Sequence, residues 1–91
     1  MTIEELPEET RLIQLAEECS ELAQAALKLV RVLHGDTPVS RDEAVSNLIE
    51  EIADVDVCVF VLSDIAPSKE VCEKIVQKKQ RWESRINEKE T

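Results

Sequence analysis

Two carboxylate pairs stand out by residue type and spacing. Glu18 and Glu21 lie three residues apart in LAEECSELAQAA, and Glu51 and Asp54 lie three apart in NLIEEIADVDVCVFVL. Residues three apart on a helix share a face, so each pair presents two acids side by side. Each pair also borders an apolar stripe, formed by Cys19 and Leu22 in one case and by Ile52 and Val55 in the other. Charge held against a core is costly unless something positive meets it. If the two helices pack antiparallel along these stripes, four carboxylates converge at one level and repel unless a cation neutralises them. A site made only of oxygen ligands, with no His or Cys, suits Mg²⁺ or Mn²⁺. Acidic pairs on helices are most often solvated faces. These two differ because both flank a stripe, and the second leads straight into the apolar run from Val55 to Leu62. Glu17 and Glu50, one residue earlier in each segment, turn further towards solvent.

A cationic counterpart lies near the C-terminus. Lys74, Lys78, Arg81 and Arg85 recur at intervals of four, three and four and form one basic stripe beside Ile75. Such a stripe either makes salt bridges with other helices or grips phosphate. Other chemistries lack their parts. His34 has no Glu three residues before it, so the Glu-x-x-His device of di-iron bundles is missing. The single glycine excludes a P-loop or a Gly-rich phosphate cradle.

The elements that must position these residues are helices. The first is expected from about 8 to 34, with the apolar stripe Leu12, Leu15, Ala16, Cys19, Leu22, Ala23, Ala26, Val30 and Leu33. Ahead of it, Thr2 and Glu5 have capping-box spacing for a short turn that Pro7 interrupts. Gly35 stands where a helix C-cap wants a left-handed residue, and Pro38 extends the break. Ser40 and Glu43 form a capping box for a second helix, expected over 41–64 because Pro67 disfavours helix at Ala66. Its stripe is Leu48, Ile52, Val55, Val59 and Leu62. A third helix is expected over 68–87, with Val71, Cys72, Ile75, Trp82 and Ile86 facing a core and a frayed end from Asn87 to Thr91.

Ninety-one residues make a single all-α domain, and a small one. Its core must come from aliphatic residues, since Phe60 and Trp82 are the only aromatics. A chain this short buries a modest share of its surface, so oligomerisation is expected as a source of stability on size alone. Short connections imply antiparallel neighbours, and two chains could complete a four-helix bundle from their long helices. The net charge of −9 argues against a nucleic-acid polymer or an anionic membrane as partner. The longest apolar run is too short to span a bilayer, and Met1 to Glu9 has no signal-peptide pattern. The three cysteines, Cys19, Cys58 and Cys72, have no C-x-x-C spacing; they are read as reduced, core-facing thiols of a cytoplasmic protein.

The two acidic segments together resemble the MazG-like all-α nucleoside triphosphate pyrophosphohydrolases. That family carries E-x-x-E on one helix and E-x-x-D on the next, within EE-x-x-E and EE-x-x-D-V contexts. Both contexts are present, as Glu17-Glu18-Cys19-Ser20-Glu21 and Glu50-Glu51-Ile52-Ala53-Asp54-Val55. The resemblance runs from about Leu12 to Trp82, with the 29 residues between the motifs at the long end of the family pattern. It implies that Glu18, Glu21, Glu51 and Asp54 hold Mg²⁺, with Mn²⁺ a possible substitute. It further implies cleavage of a nucleoside triphosphate between the α- and β-phosphates by a homodimer or dimer of dimers. Phosphate-contacting residues of the following helix map onto Lys74, Lys78 and Arg81, although KIVQKKQRW lacks the family's Asn. Gln14 and Asn47, each one turn before an acidic pair, are candidate base contacts. The alternative is a helical dimerisation or regulatory module that keeps this fold without turnover.

Overall fold

The protein, described by a computed structural model over residues 1–90, is all-helical. Its order is a 3₁₀ turn (Ile3–Glu5), then α1 (Glu8–Leu33), α2 (Arg41–Phe60) and α3 (Ser68–Glu90). Side chains are described as far as Glu88, and Thr91 lies outside the described residues.

The helix boundaries follow local chemistry. Thr2 donates its backbone N–H to the Glu5 carboxylate at 2.8 Å, which closes the N-terminal turn. Pro7 precedes α1, and Glu8 and Glu9 place acids at the positive end of its dipole. At the other end Gly35 adopts φ 73°, donating to the Val32 carbonyl while Asp36 donates to that of Arg31. This is the paired-bond C-cap for which glycine is suited. The Ser40 hydroxyl accepts from the Glu43 N–H at 3.1 Å and starts α2.

Two ends differ from expectation. α2 stops at Phe60 rather than 64; the chain continues through tighter turns, with Leu62, Ser63 and Ile65 donating to the carbonyls of Val59, Phe60 and Leu62. α3 does not fray at Asn87 but stays helical to Glu90. It is solvated along its length and braced by a Lys79–Glu83 pair one turn apart.

α1 and α2 pack as an antiparallel hairpin, and α3 has no comparable interface with either. The radius of gyration is 16.7 Å, against about 12 Å for a compact chain of this length. Along α1 the less exposed positions include Arg11, Leu15, Glu18, Leu22, Ala25, Leu29 and Val32; along α2 and the turn that follows it they include Ala44, Leu48, Glu51, Val55, Cys58 and Leu62. Steps of four and three alternate in both series, the spacing of a coiled-coil seam. The seam lies at one edge of the apolar sector read from the sequence. Leu12, Val30, Leu33, Ile52 and Val59 belong to that sector and remain exposed. Cys19 and Cys72 are likewise exposed, and only Cys58 is buried.

The hairpin therefore has two unlike sides. In an antiparallel pair, residues one position after the seam on either helix face the same side, and those one position before face the other. One side carries Leu12, Ala16, Cys19, Ala23, Ala26, Val30 and Leu33 with Val45, Ile49, Ile52, Asp56 and Val59. It is open and, Asp56 apart, apolar, with Ile49 61% exposed. The opposite side carries Thr10, Gln14, Glu17, Glu21, Gln24, Lys28 and Arg31 along α1, with no apolar residue among them.

Candidate metal centre

Glu18 and Glu51 occupy seam positions of facing helices, so their carboxylates meet between the helices. With Asp54, one turn beyond Glu51, they form a group whose ligand oxygens all lie within 4.8 Å of one another. Glu18 and Glu51 are half-buried and Asp54 is exposed. Oε2 of Glu18 and Oε2 of Glu51 are both shielded from solvent and have no hydrogen-bond partner. A buried carboxylate oxygen without a partner is expensive, so the site is short of positive charge as it stands.

Glu18 registers the crowding. Burial pushes its carboxyl above the ordinary glutamate value, a hydrogen bond from Gln14 opposes this, and the nearby Glu21 and Asp54 push it up further. Gln14 Nε2 donates to Glu18 Oε1 at 2.8 Å, holding one oxygen while the other stays unpaired. Beneath the cluster, burial raises the Cys58 thiol, with the negative charge of Glu18 and Asp54 acting in the same direction. That thiol is therefore poorly nucleophilic.

Three of the four expected carboxylates come together. Glu21 acts on Glu18 electrostatically but stands outside the three-acid group, and lines a neighbouring cavity with Glu51. Two cavities on the polar side of the hairpin flank the cluster. One, of about 360 Å³, is bounded by the N-terminal turn and the far end of α2, through Ile3, Leu6, Thr10, Gln14, Val57 and Val61. Glu18 and Asp54 form its inner edge. The other, of about 460 Å³, runs towards the α1–α2 connection and is lined by Glu21, Gln24, Lys28, Arg31, Asn47 and Glu51. Gln14 and Asn47 thus fall on opposite sides of the cluster.

Lys74, Lys78 and Arg81 lie on α3, which does not pack on the hairpin, so one chain does not bring them to the carboxylates. Trp82, expected in a core, is 70% exposed. It lies in a groove with Lys78, Arg81, Arg85 and Ile86.

Sequence reasoning overlooked Arg11, which pins the site's outer end. Its side chain is 6% exposed. Nε donates to the Leu6 carbonyl at 3.0 Å and Nη1 to the Val61 carbonyl at 2.8 Å. The guanidinium also grips Asp64 with both terminal nitrogens, at 2.8 and 3.1 Å. One side chain thereby ties the N-terminal turn to the turns that follow α2 and satisfies the carbonyl of its C-cap residue, Val61. The Arg11 hydrogen bond holds Asp64 below the usual aspartate range. Arg11 sits at a seam position four residues before Leu15, a spacing that would have flagged it. Lys28 and Arg31 were also overlooked, though Lys28 follows Glu21 by two full turns on the same face.

No protein family, curated protein or solved structure matches the chain.

Proposed function

We propose that the protein is a Mg²⁺-dependent nucleoside triphosphate pyrophosphohydrolase that cleaves between the α- and β-phosphates. The observation that carries this is the facing pair Glu18 and Glu51, with Asp54 beside them and two buried carboxylate oxygens lacking partners. The paired motifs and their resemblance to MazG-like enzymes point the same way. The donor set fits a hard divalent cation: all ligands are carboxylate oxygens, and the unpaired ones need positive charge. Glu18, Glu51 and Asp54 would hold the ion, with Glu21 at the edge of the site. Bound there, Mg²⁺ supplies Lewis-acid polarisation of phosphate oxygens. The residues of the chain do the remainder. Gln14 orients Glu18, and Glu18 or Glu21 would accept the proton of the attacking water. The two cavities leave room for the substrate on either side.

The exposed apolar side of the hairpin supports the second part of the proposal, a homodimer. Two such sides facing each other would complete a four-helix bundle. Lys74, Lys78 and Arg81 would take part in phosphate binding only in an assembly that places α3 over the polar side. A helical dimerisation module without turnover would use the same apolar side but has no need of the carboxylates.

Titration with Mn²⁺ tests the site directly. Binding by the wild type that is lost in Glu18→Gln and Glu51→Gln supports the proposal. A folded wild type that takes up no divalent cation rejects it.

A further inference from the structure

The two cavities beside the carboxylates differ in chemistry, and the difference assigns a direction to the substrate. We propose that the triphosphate lies along the α1–α2 seam with its pyrophosphate end at Lys28 and Arg31 and its nucleoside end at Gln14 and Thr10. This rests on the pyrophosphohydrolase reading above and adds to it the residues that grip the leaving group.

The cavity towards the connecting loop contains the cations. Lys28 is half-buried, and Arg31 lies three residues further along the same face. Among the described residues neither makes an ion pair, although Glu21 and Glu51 line the same cavity. Asn47, from α2, adds a neutral amide donor. Lys28 stands about 10 Å along the helix axis from Glu21, at 1.5 Å per residue. The cations therefore lie beyond the carboxylates, where the far end of a chain of phosphates would need charge compensation. A lysine and an arginine on adjoining turns suit an anion with several oxygens.

The opposite cavity is unsuited to that task. Its one cation, Arg11, is already engaged by the Leu6 and Val61 carbonyls and by Asp64. What remains is the apolar lining of Ile3, Leu6, Val57 and Val61 with the uncharged hydrogen-bonding groups of Thr10 and Gln14. A volume of about 360 Å³ with an apolar wall and two polar side chains has the character of a site for a base and sugar. In this arrangement the cleaved bond lies over Glu18, Glu51 and Asp54, and the leaving pyrophosphate is held by α1 rather than by the basic stripe of α3.

The test is calorimetric titration of the full chain with inorganic pyrophosphate in Mn²⁺, with Mn²⁺ alone titrated in parallel. Lys28→Gln with Arg31→Gln should weaken pyrophosphate binding about tenfold or more, the loss expected for charge-assisted contacts, and leave Mn²⁺ affinity unchanged. Lys28→Arg should retain most of the binding. Lys78→Gln with Arg81→Gln should have no effect, and Thr10→Val should weaken a nucleoside monophosphate but not pyrophosphate. Unchanged pyrophosphate binding in the Lys28/Arg31 variant overturns the assignment while leaving the metal site standing. Loss caused instead by the Lys78/Arg81 variant transfers the role to α3 and overturns it as well. A wild type that binds no Mn²⁺ brings down the underlying reading together with the inference.

Discussion

Replacing Glu51 by Gln should make the metal-free protein more stable and the metal-loaded protein relatively less so. The ligand oxygens of Glu18, Glu51 and Asp54 lie within 4.8 Å of one another. Two unit charges at that separation repel by about 0.9 kcal/mol in a water-like medium and by about 3.5 kcal/mol at an effective dielectric of 20. The cluster opens into two cavities and Asp54 is exposed, so the value lies towards the lower limit. Glu51 takes part in two such repulsions, which gives about 2 kcal/mol at low salt and roughly half of that at physiological ionic strength. For a domain of this size the apo melting temperature should rise by about 5–10 °C. Mg²⁺ reverses the order. At a hundred times its dissociation constant it stabilises the wild type by about 2.7 kcal/mol, whereas the variant, short of one ligand, gains little. Thermal melts in EDTA and in a Mg²⁺ series measure both arms. An apo variant that melts at or below the wild type, or one whose Mg²⁺ shift equals the wild type's, would refute the reasoning.

Other consequences can be measured alongside. Ala44 is 1% exposed and Ala25 is 3% exposed. Ala25 lies one heptad beyond Glu18 and Ala44 one heptad before Glu51, so the register that opposes the acids also opposes the alanines. Ala44→Leu should therefore pry the seam apart and cost about 1–3 kcal/mol in urea unfolding, lowering Mn²⁺ affinity as the carboxylates separate. Two carboxyls give the apo protein opposite pH dependences. Glu18 is raised on folding, so its contribution is fully present below the ordinary glutamate range and is lost as pH rises through its folded value. Asp64 is lowered on folding, so its contribution is present above the ordinary aspartate range and is lost as pH falls through its folded value. In melts across the acid range, Glu18→Gln should remove the first slope and Arg11→Gln should diminish the second; unchanged profiles would contradict both assignments.

What the sequence reveals here depends on how local the deciding physics is. The caps at Gly35 and Ser40 were readable because a few neighbouring residues determine them. The helical class was equally plain from the apolar periodicity. The phase of packing was harder. The apolar sector of α1 is wide enough for two adjacent seams, Leu15–Leu22–Leu29 and Leu12–Cys19–Ala26–Leu33, and composition alone centres the prediction between them. The structure uses the first for α2 and leaves the second open. That shift moves Glu18 and Glu51 from the border of the contact into it, which strengthens the argument for a cation. The end of α2 was harder to read because the side chain that satisfies its C-cap carbonyl, Arg11, lies fifty residues away in sequence from Val61. The place of α3 is not decided by its own residues, since Ile75, Trp82 and Ile86 all stay exposed in one chain.

The central claim is that the Glu18–Glu51–Asp54 cluster supports cleavage of a triphosphate. Its most direct test is ³¹P product analysis of the purified protein with a panel of nucleoside and deoxynucleoside triphosphates, in Mg²⁺ and in EDTA. The account predicts monophosphate and pyrophosphate from at least one of them, dependent on Mg²⁺ and abolished in Glu51→Gln. Diphosphate with orthophosphate would contradict the assigned bond. No turnover of any triphosphate by a folded, Mn²⁺-binding protein would contradict the enzyme and leave the dimerisation module in its place.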